Sequence, residues 1–253
     1  MSESSGPQTF SDPHNFDQYD HEMMASCGEK MVGTDMIIFE PDKEGNGEIC
    51  YKGRNRFMGY YKNEGDTQNT IDAVGFLHSG DVGKIDKRGN LSITGRIKEL
   101  IITAGGENVA PVLIENELKE ELPIISNAMV IGDKKKYLVV LLTLKYTVDA
   151  EGKPTTTPSE QSLKFLRENL GSTAKTFEEI SKDEKVIAFI DEAVKRANEK
   201  SISRAQHIRK WALIPGDFTV EGGELTPTLK LRRKVTAAKY ADLVDKLYQD
   251  PKL

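Results

Sequence analysis

Tyr137–Leu144 reads YLVVLLTL, eight residues that are almost wholly apolar. The run is far short of the ~20 residues that a membrane-spanning helix needs. It predicts a buried strand, and its neighbours predict what buries it. NAMVIG (127–132) reads as a second strand, joined to the first through the charged turn GDKKK. PVLIENELKEEL (111–122) reads as a helix with Pro in its first turn and Leu113, Ile114, Leu118 and Leu122 at helical spacing. SLKFLRENL (162–170) and DEKVIAFIDEAVKRANEK (183–200) are amphipathic helices. In the second, Val186, Phe189, Ile190, Ala193, Val194 and Ala197 form one stripe that serves core packing. KWALIPG (210–216) is a further strand, VTAAKYADLVDKLY (235–248) a last helix, and TVDAEGKPTTTPS (147–159) a loop or inserted linker. These segments predict a small α+β domain with a central sheet flanked by helices.

The first third has a different texture. Between residues 30 and 98 the pattern is short strands and turns: DMIIFEP, the turn DKEGNG, GEICYKG, then VGKID and LSITG across an Asp-Lys-Arg-Gly-Asn turn. The chain therefore divides into a β-rich part, 1–97, expected as a partial β-barrel subdomain, and an α+β part, 98–253. The net charge of −5 argues against a nucleic-acid binder, which needs a basic surplus. Cys27 and Cys50 form no CxxC pair and no metal-type cluster with the four histidines. They read as free reduced thiols, with a single disulfide as the other arrangement their spacing allows. The first residues contain no apolar signal-peptide core.

Three segments carry chemistry. In HSGD (78–81), Asp81 is read as ending a strand beside a glycine, where a carboxylate can accept two hydroxyls such as a ribose diol. Fourteen residues on begins GRIKELIITAGGENVAP, in which Arg96 offers a fork suited to phosphate or ribose oxygens. Gly105 and Gly106 allow a close backbone approach or a sharp turn. In GGELTPTLKLRR (222–233), Lys230 is a compact charge on a flexible stem. Taken singly, each has a plain structural explanation: a turn aspartate, a surface arginine, a loop glycine pair, a solvated basic stretch. Their order and spacing together do not.

That order resembles the adenylate-forming superfamily of acyl-CoA synthetases, luciferases and peptide-synthetase adenylation domains. The family shows a ring residue before Ser/Thr-Gly-Asp, then Gly-Arg-x-Lys/Asp, a glycine loop, and Pro-x-x-Ile/Leu-Glu, here HSGD, GRIK, AGGEN and PVLIE. The resemblance implies that Asp81 binds the ATP ribose hydroxyls and that Arg96 contacts the nucleotide. It makes Lys98 the hinge of a mobile C-terminal domain, and the Gly105–Gly106 loop a wall of the pantetheine tunnel for CoA. This glycine loop is one residue longer than in luciferase-like members, which leaves open which glycine takes the family role. Lys230, in the family's Thr-x-x-x-Lys setting with Thr226, would stabilise the charge that develops as pyrophosphate leaves. Ser2 and Glu3 fit the end of a Tyr-Gly-x-Ser/Thr-Glu element whose glutamate helps hold Mg²⁺, as though the chain opened inside that motif; an ordinary disordered N-terminus is the other explanation. SCGEKMVGTDMIIFE, ICYKGRNRFMGYYKNEGDT and PIISNAMVIGDKKKYLVVLLTLK resemble the bubblegum type of long-chain synthetase.

The resemblance implies an ATP-dependent fatty acid–CoA ligase, forming an acyl-adenylate and then a thioester. The family's Ser/Thr/Gly-rich phosphate loop is not in this sequence, and neither is a Walker motif. The expectation is thus a fragment without the phosphate loop and acyl pocket. Two alternatives are kept: a catalytically silent module that binds CoA or a partner, and another adenylate-forming chemistry. A cytoplasmic protein is expected, with room for a peripheral contact to an intracellular membrane.

Overall fold

A computed structural model describes residues 2–11 and 26–249. The expected loop Ser11–Asn15, apart from Ser11, and His14 and His21 fall outside those residues. The chain divides into two compact units, Met1–Glu99 and Leu100–Leu253.

In the first unit, the two-residue strands β1 (Thr9–Phe10) and β2 (Glu29–Lys30) pair with each other. The main element is an open antiparallel sheet of β3 (Thr34–Phe39), β4 (Gly47–Gly53), β5 (Leu77–Ile85) and β6 (Leu91–Arg96), in that order. The expected partial barrel is thus an open four-stranded sheet. Along β4 the side chains alternate. Ile49 and Tyr51 enter a small core with Leu91, Met36 and Ile38. Glu48 and Cys50 point to the other face, where Cys50 stands opposite His78. One short helix, α1 (Glu64–Thr70), was not evident in the sequence. None of its residues is buried, so it has no apolar stripe; Asn63 caps it by accepting from Asp66 N–H.

The second unit begins with the tiny hairpin β7 (Ile101–Ile102) and β8 (Asn108–Val109). Then come α2 (Pro111–Glu121), β9 (Ile125–Ile131) and β10 (Leu138–Leu144). Pro111 starts α2 at a position where the absent N–H costs nothing. β10 is central, antiparallel to β9 and parallel to β13 (Ile208–Ile214). All seven of its residues are buried, because both faces are covered. Leu138, Val140, Leu142 and Leu144 pack with Leu118, Leu166, Val186, Ile190 and Ala193, contributed by α2, α3 (Glu160–Leu170) and α5 (Glu184–Glu199). Leu141 packs on the opposite side with Met129, Phe218 and Val244.

Four details differ from the sequence expectations. Residues 147–159 hold a hairpin rather than a plain loop, since β11 (Tyr146–Val148) pairs with β12 (Pro154–Pro158). A four-residue helix, α4 (Phe177–Ile180), closed by a capping box from Thr176 and Glu179, precedes α5. The last helix is two, α6 (Arg233–Lys239) and α7 (Ala241–Gln249), separated at Tyr240. In α2, Leu113 is exposed while Glu115 is buried, which reverses what polarity alone predicts. No helix among the described residues is long and apolar enough to cross a membrane. Both described cysteines are free thiols.

Candidate functional site

Asp81 is not at a strand end. It lies inside the nine-residue β5, at an irregularity where Ser79, Gly80 and Asp81 stand opposite Ile49 alone. Such a bulge leaves backbone groups without ladder partners and re-aims side chains. Here side chains satisfy them. Glu48 Oε1 accepts the Gly80 N–H at 2.9 Å. Ser79 Oγ accepts the Asp81 N–H at 3.0 Å and donates to Ile49 O at 2.6 Å. Gly80 takes φ +71°, a conformation that favours glycine. On its other edge, Asp81 is the cross-strand partner of Arg96, with Asp81 Oδ1 3.0 Å from Arg96 Nε. The arginine side chain is more than half exposed, so its fork remains open to solvent.

Lys98 lies on a 3-10 turn, Ile97–Glu99, directly after β6. It lines a cavity of about 570 Å³ with Glu3, Glu48, Tyr60, His78 and Gly80. Glu3 Oε1 accepts from Tyr60 Oη at 2.9 Å. The carboxylates of Glu3, Glu48 and Asp66 on this wall are hard oxygen donors of the kind that suit Mg²⁺. His78, the ring residue of HSGD, lies 2.6 Å through Nδ1 from Glu48 Oε2 and 3.7 Å through Nε2 from Asp72 Oδ2. Asp72 is held below the usual carboxylate range, first by the Phe76 N–H. Glu48, Cys50 and His78 present the one mixed donor set among the described residues that could hold a metal ion. The Cys50 thiol, however, is pushed up to about 12 by burial and then by the Glu48 and Asp72 charges. It stays protonated, 3.5 Å from a His78 nitrogen already engaged by Glu48, so the set reads as a hydrogen-bonded cluster. No periodic pattern marks Glu48, because its partners are 30 and 32 residues away.

The other predicted residues belong to the second unit. Gly105 and Gly106 form the β7–β8 turn, closed by Gly106 N–H to Thr103 O at 2.9 Å and Thr103 N–H to Glu107 O at 3.1 Å. Gly106 has φ +80° with nothing near a would-be Cβ, whereas Gly105 has an ordinary φ and would meet only Thr103 Oγ1 at 3.8 Å. The turn therefore requires Gly106 and tolerates a side chain at 105. Gly106→Ala is expected to lower unfolding stability by about 1 kcal/mol in urea, and Gly105→Ala to change it little; equal losses would contradict this.

Lys230 is exposed on the closing side of a tight loop, opposite Thr226. Leu225 and Leu231 bridge across its base. Thr226 N–H donates to Lys230 O at 2.8 Å, and Lys230 N–H donates to Thr226 Oγ1 at 3.0 Å. Leu229 takes φ +58°, a strained setting for a branched side chain that these bonds hold in place. Beneath the loop lies Glu224, 1% exposed. Its carboxylate binds Lys239, and its carbonyl accepts the Arg232 N–H at 2.7 Å. Burial pushes the Glu224 carboxyl up, but Lys239 and the backbone N–H groups outweigh it and bring it below the ordinary 4.5. A carboxylate depressed in the fold contributes stability that is present above its unfolded value and lost as pH falls through the folded one. Lys239 is raised by Glu224, so its share is present below its unfolded value and lost as pH rises. Glu224→Gln is expected to flatten the loss of melting temperature on acidification below about pH 4.5; an unchanged acid profile would contradict this. Arg233, next along, donates through both terminal nitrogens to Glu115, each at 2.6 Å.

Residues 98–212 match the model of the AMP-binding enzyme C-terminal domain. That match covers less than half of the chain, and the open sheet and the α+β unit are similar in fold to parts of solved adenylate-forming enzymes. Over 99% of its length the chain is 51% identical to the long-chain-fatty-acid–CoA ligase ACSBG2 of Gallus gallus, covering 32% of it. Over its whole length it is 47% identical to ACSBG1 of Homo sapiens, covering 34%. The chain is thus homologous to the bubblegum type of ligase and spans about a third of the length of the curated relatives it matches. Among solved structures, it is similar in fold to the adenylation domain of a Mycobacterium chelonae carboxylate reductase, with TM-score 0.61, 21% identity, and coverage of 86% of this chain and 31% of that one. It is also similar to O-succinylbenzoate coenzyme A synthetase of Bacillus subtilis, solved with ATP and magnesium ion, with TM-score 0.58, 22% identity, and coverage of 92% and 39%.

Proposed function

We propose that this chain supplies the nucleotide-facing edge and the mobile C-terminal domain of an ATP-dependent long-chain fatty acid–CoA ligase. The bulge that presents Asp81 beside Arg96 carries this reading. A carboxylate held at a bulge by three side-chain bonds, with an open guanidinium across the strand pair, suits a ribose diol and its phosphate. In this account Asp81 accepts the ribose hydroxyls and Arg96 contacts the nucleotide. Glu3 helps hold Mg²⁺, which neutralises phosphate charge when bound. Lys98 is the hinge between a part ending at residue 97 and a part starting at 98. The Gly105–Gly106 turn, open around both glycines, lets the pantetheine arm of CoA pass close to the backbone. Lys230 bridges the fatty carboxylate and the α-phosphate as pyrophosphate leaves, and the acyl-adenylate then passes its acyl group to the CoA thiol. The reading puts the protein in the cytoplasm, in peripheral contact with the intracellular membrane where its substrate partitions.

AMP titrated into the ¹⁵N-labelled chain tests the nucleotide half. Saturable shifts at Asp81 and Arg96 amides, lost in Asp81→Ala, are the expected result. The same shifts in Asp81→Ala would remove Asp81 from the site, and a chain that binds no AMP at millimolar concentration would favour the silent-module alternative.

A further inference from the structure

A second carboxylate, the partly buried Glu48, faces the same bulge as Asp81. Its two oxygens are divided between two groups of the HSGD segment: Oε1 takes the Gly80 N–H and Oε2 takes His78 Nδ1. Gly80 lies in the bulge, where the β4–β5 ladder offers its N–H no partner. The N–H of a bulge residue still requires an acceptor, and Glu48 supplies a charged one, the stronger kind. His78 in turn stands edge-on to the Phe39 ring, 5.2 Å between centroids, which fixes the imidazole plane. The side chains of Glu48 and His78 are 16% and 21% exposed, so both bonds are partly shielded from water.

We infer that Glu48 is a positioning residue for nucleotide binding: through Gly80 and His78 it sets the bulge that aims Asp81. The inference deepens the proposed function and rests on Asp81 meeting the nucleotide. Glu48 itself touches no substrate in this account. Removing its carboxylate frees the Gly80 N–H, lets the bulge relax toward a regular ladder, and turns Asp81 away from Arg96.

The test uses the full 253-residue chain, with AMP as probe and amide hydrogen exchange as a separate monitor. Five forms are compared: wild type, Glu48→Ala, Glu48→Gln, Asp81→Ala and the Glu48→Ala/Asp81→Ala double variant. Because the lost hydrogen bond is to a charged group, Glu48→Ala is expected to speed Gly80 amide exchange by about tenfold or more and to weaken AMP binding comparably. Glu48→Gln retains an acceptor for Gly80 and is expected to restore both. Its amide N–H would face His78 Nδ1, so the imidazole proton should move to Nε2, visible in the ring ¹⁵N shifts. The double variant should bind AMP no worse than Asp81→Ala alone. Additive losses, or a Glu48→Ala chain that binds AMP normally while Asp81→Ala does not, would overturn the positioning role. If Glu48→Ala frees Gly80 but neither it nor Asp81→Ala alters AMP binding, or if wild type binds none, the proposal also falls, and the intact exchange result locates the failure in the nucleotide reading.

Discussion

Lys230→Ala is expected to cut acid-dependent ATP–pyrophosphate exchange by about 10²- to 10³-fold, measured in the chicken ligase carrying this chain in place of its own matching third. The magnitude is that of removing one group that meets charge developing in a transition state. Lys230 is exposed, and the loop around it is closed by its backbone and by Thr226. Melting should therefore be unchanged, and the loss should fall on catalysis alone. If the lysine acts only as pyrophosphate departs, thioester formation from supplied acyl-adenylate should survive the substitution. A mutant that exchanges pyrophosphate normally would return Lys230 to an ordinary solvated charge.

The second large effect is on stability. Glu115→Ala should cost the second unit about 3–5 kcal/mol, because it takes the bidentate acceptor from the Arg233 guanidinium and the side-chain acceptor from the Val130 N–H. The pair is bidentate, Glu115 is only 7% exposed at its side chain, and its Oε1 also accepts the Val130 N–H of β9 at 2.8 Å. Arg233 begins α6, three residues after Lys230, so the same pair anchors the loop that carries the lysine. Replacing both partners with apolar residues of similar size, Glu115→Leu with Arg233→Met, should recover most of the loss. Urea unfolding of the single and double variants checks this. A single variant within 1 kcal/mol of wild type, a value typical of exposed pairs, would mean that the pair is solvated.

How much of this was legible depends on the range of the interaction. The buried run 138–144 announced a strand covered on both faces, and the stripe Val186–Ala197 announced a helix on the core, because both patterns are periodic. α1 was illegible since it buries nothing, and the β11–β12 hairpin since its strands are short and rich in Thr and Pro. The order and spacing of HSGD, GRIK, AGG and the C-terminal lysine carried a family resemblance, and that resemblance marked the candidate site residues. The sequence did not reveal that Asp81 sits on a bulge, because the bulge is set by Glu48 and Ser79 acting on backbone groups, contacts without any period. The same holds for Glu115 and Arg233, 118 residues apart, where a glutamate on a helix face reads as solvated until its partner is seen. Of the two glycines, only backbone geometry separates Gly106 from Gly105.

The central claim is that this chain forms the nucleotide edge and mobile domain of a fatty-acyl-adenylating ligase. The most direct measurement is long-chain acyl-CoA formation by the same chicken ligase with its matching third replaced by this chain, supplied with ATP, Mg²⁺, CoA and a long-chain acid. The account predicts acyl-CoA production that depends on ATP and falls with Asp81→Ala and Lys230→Ala. A folded graft that makes no acyl-CoA, beside an active parent enzyme, would contradict it.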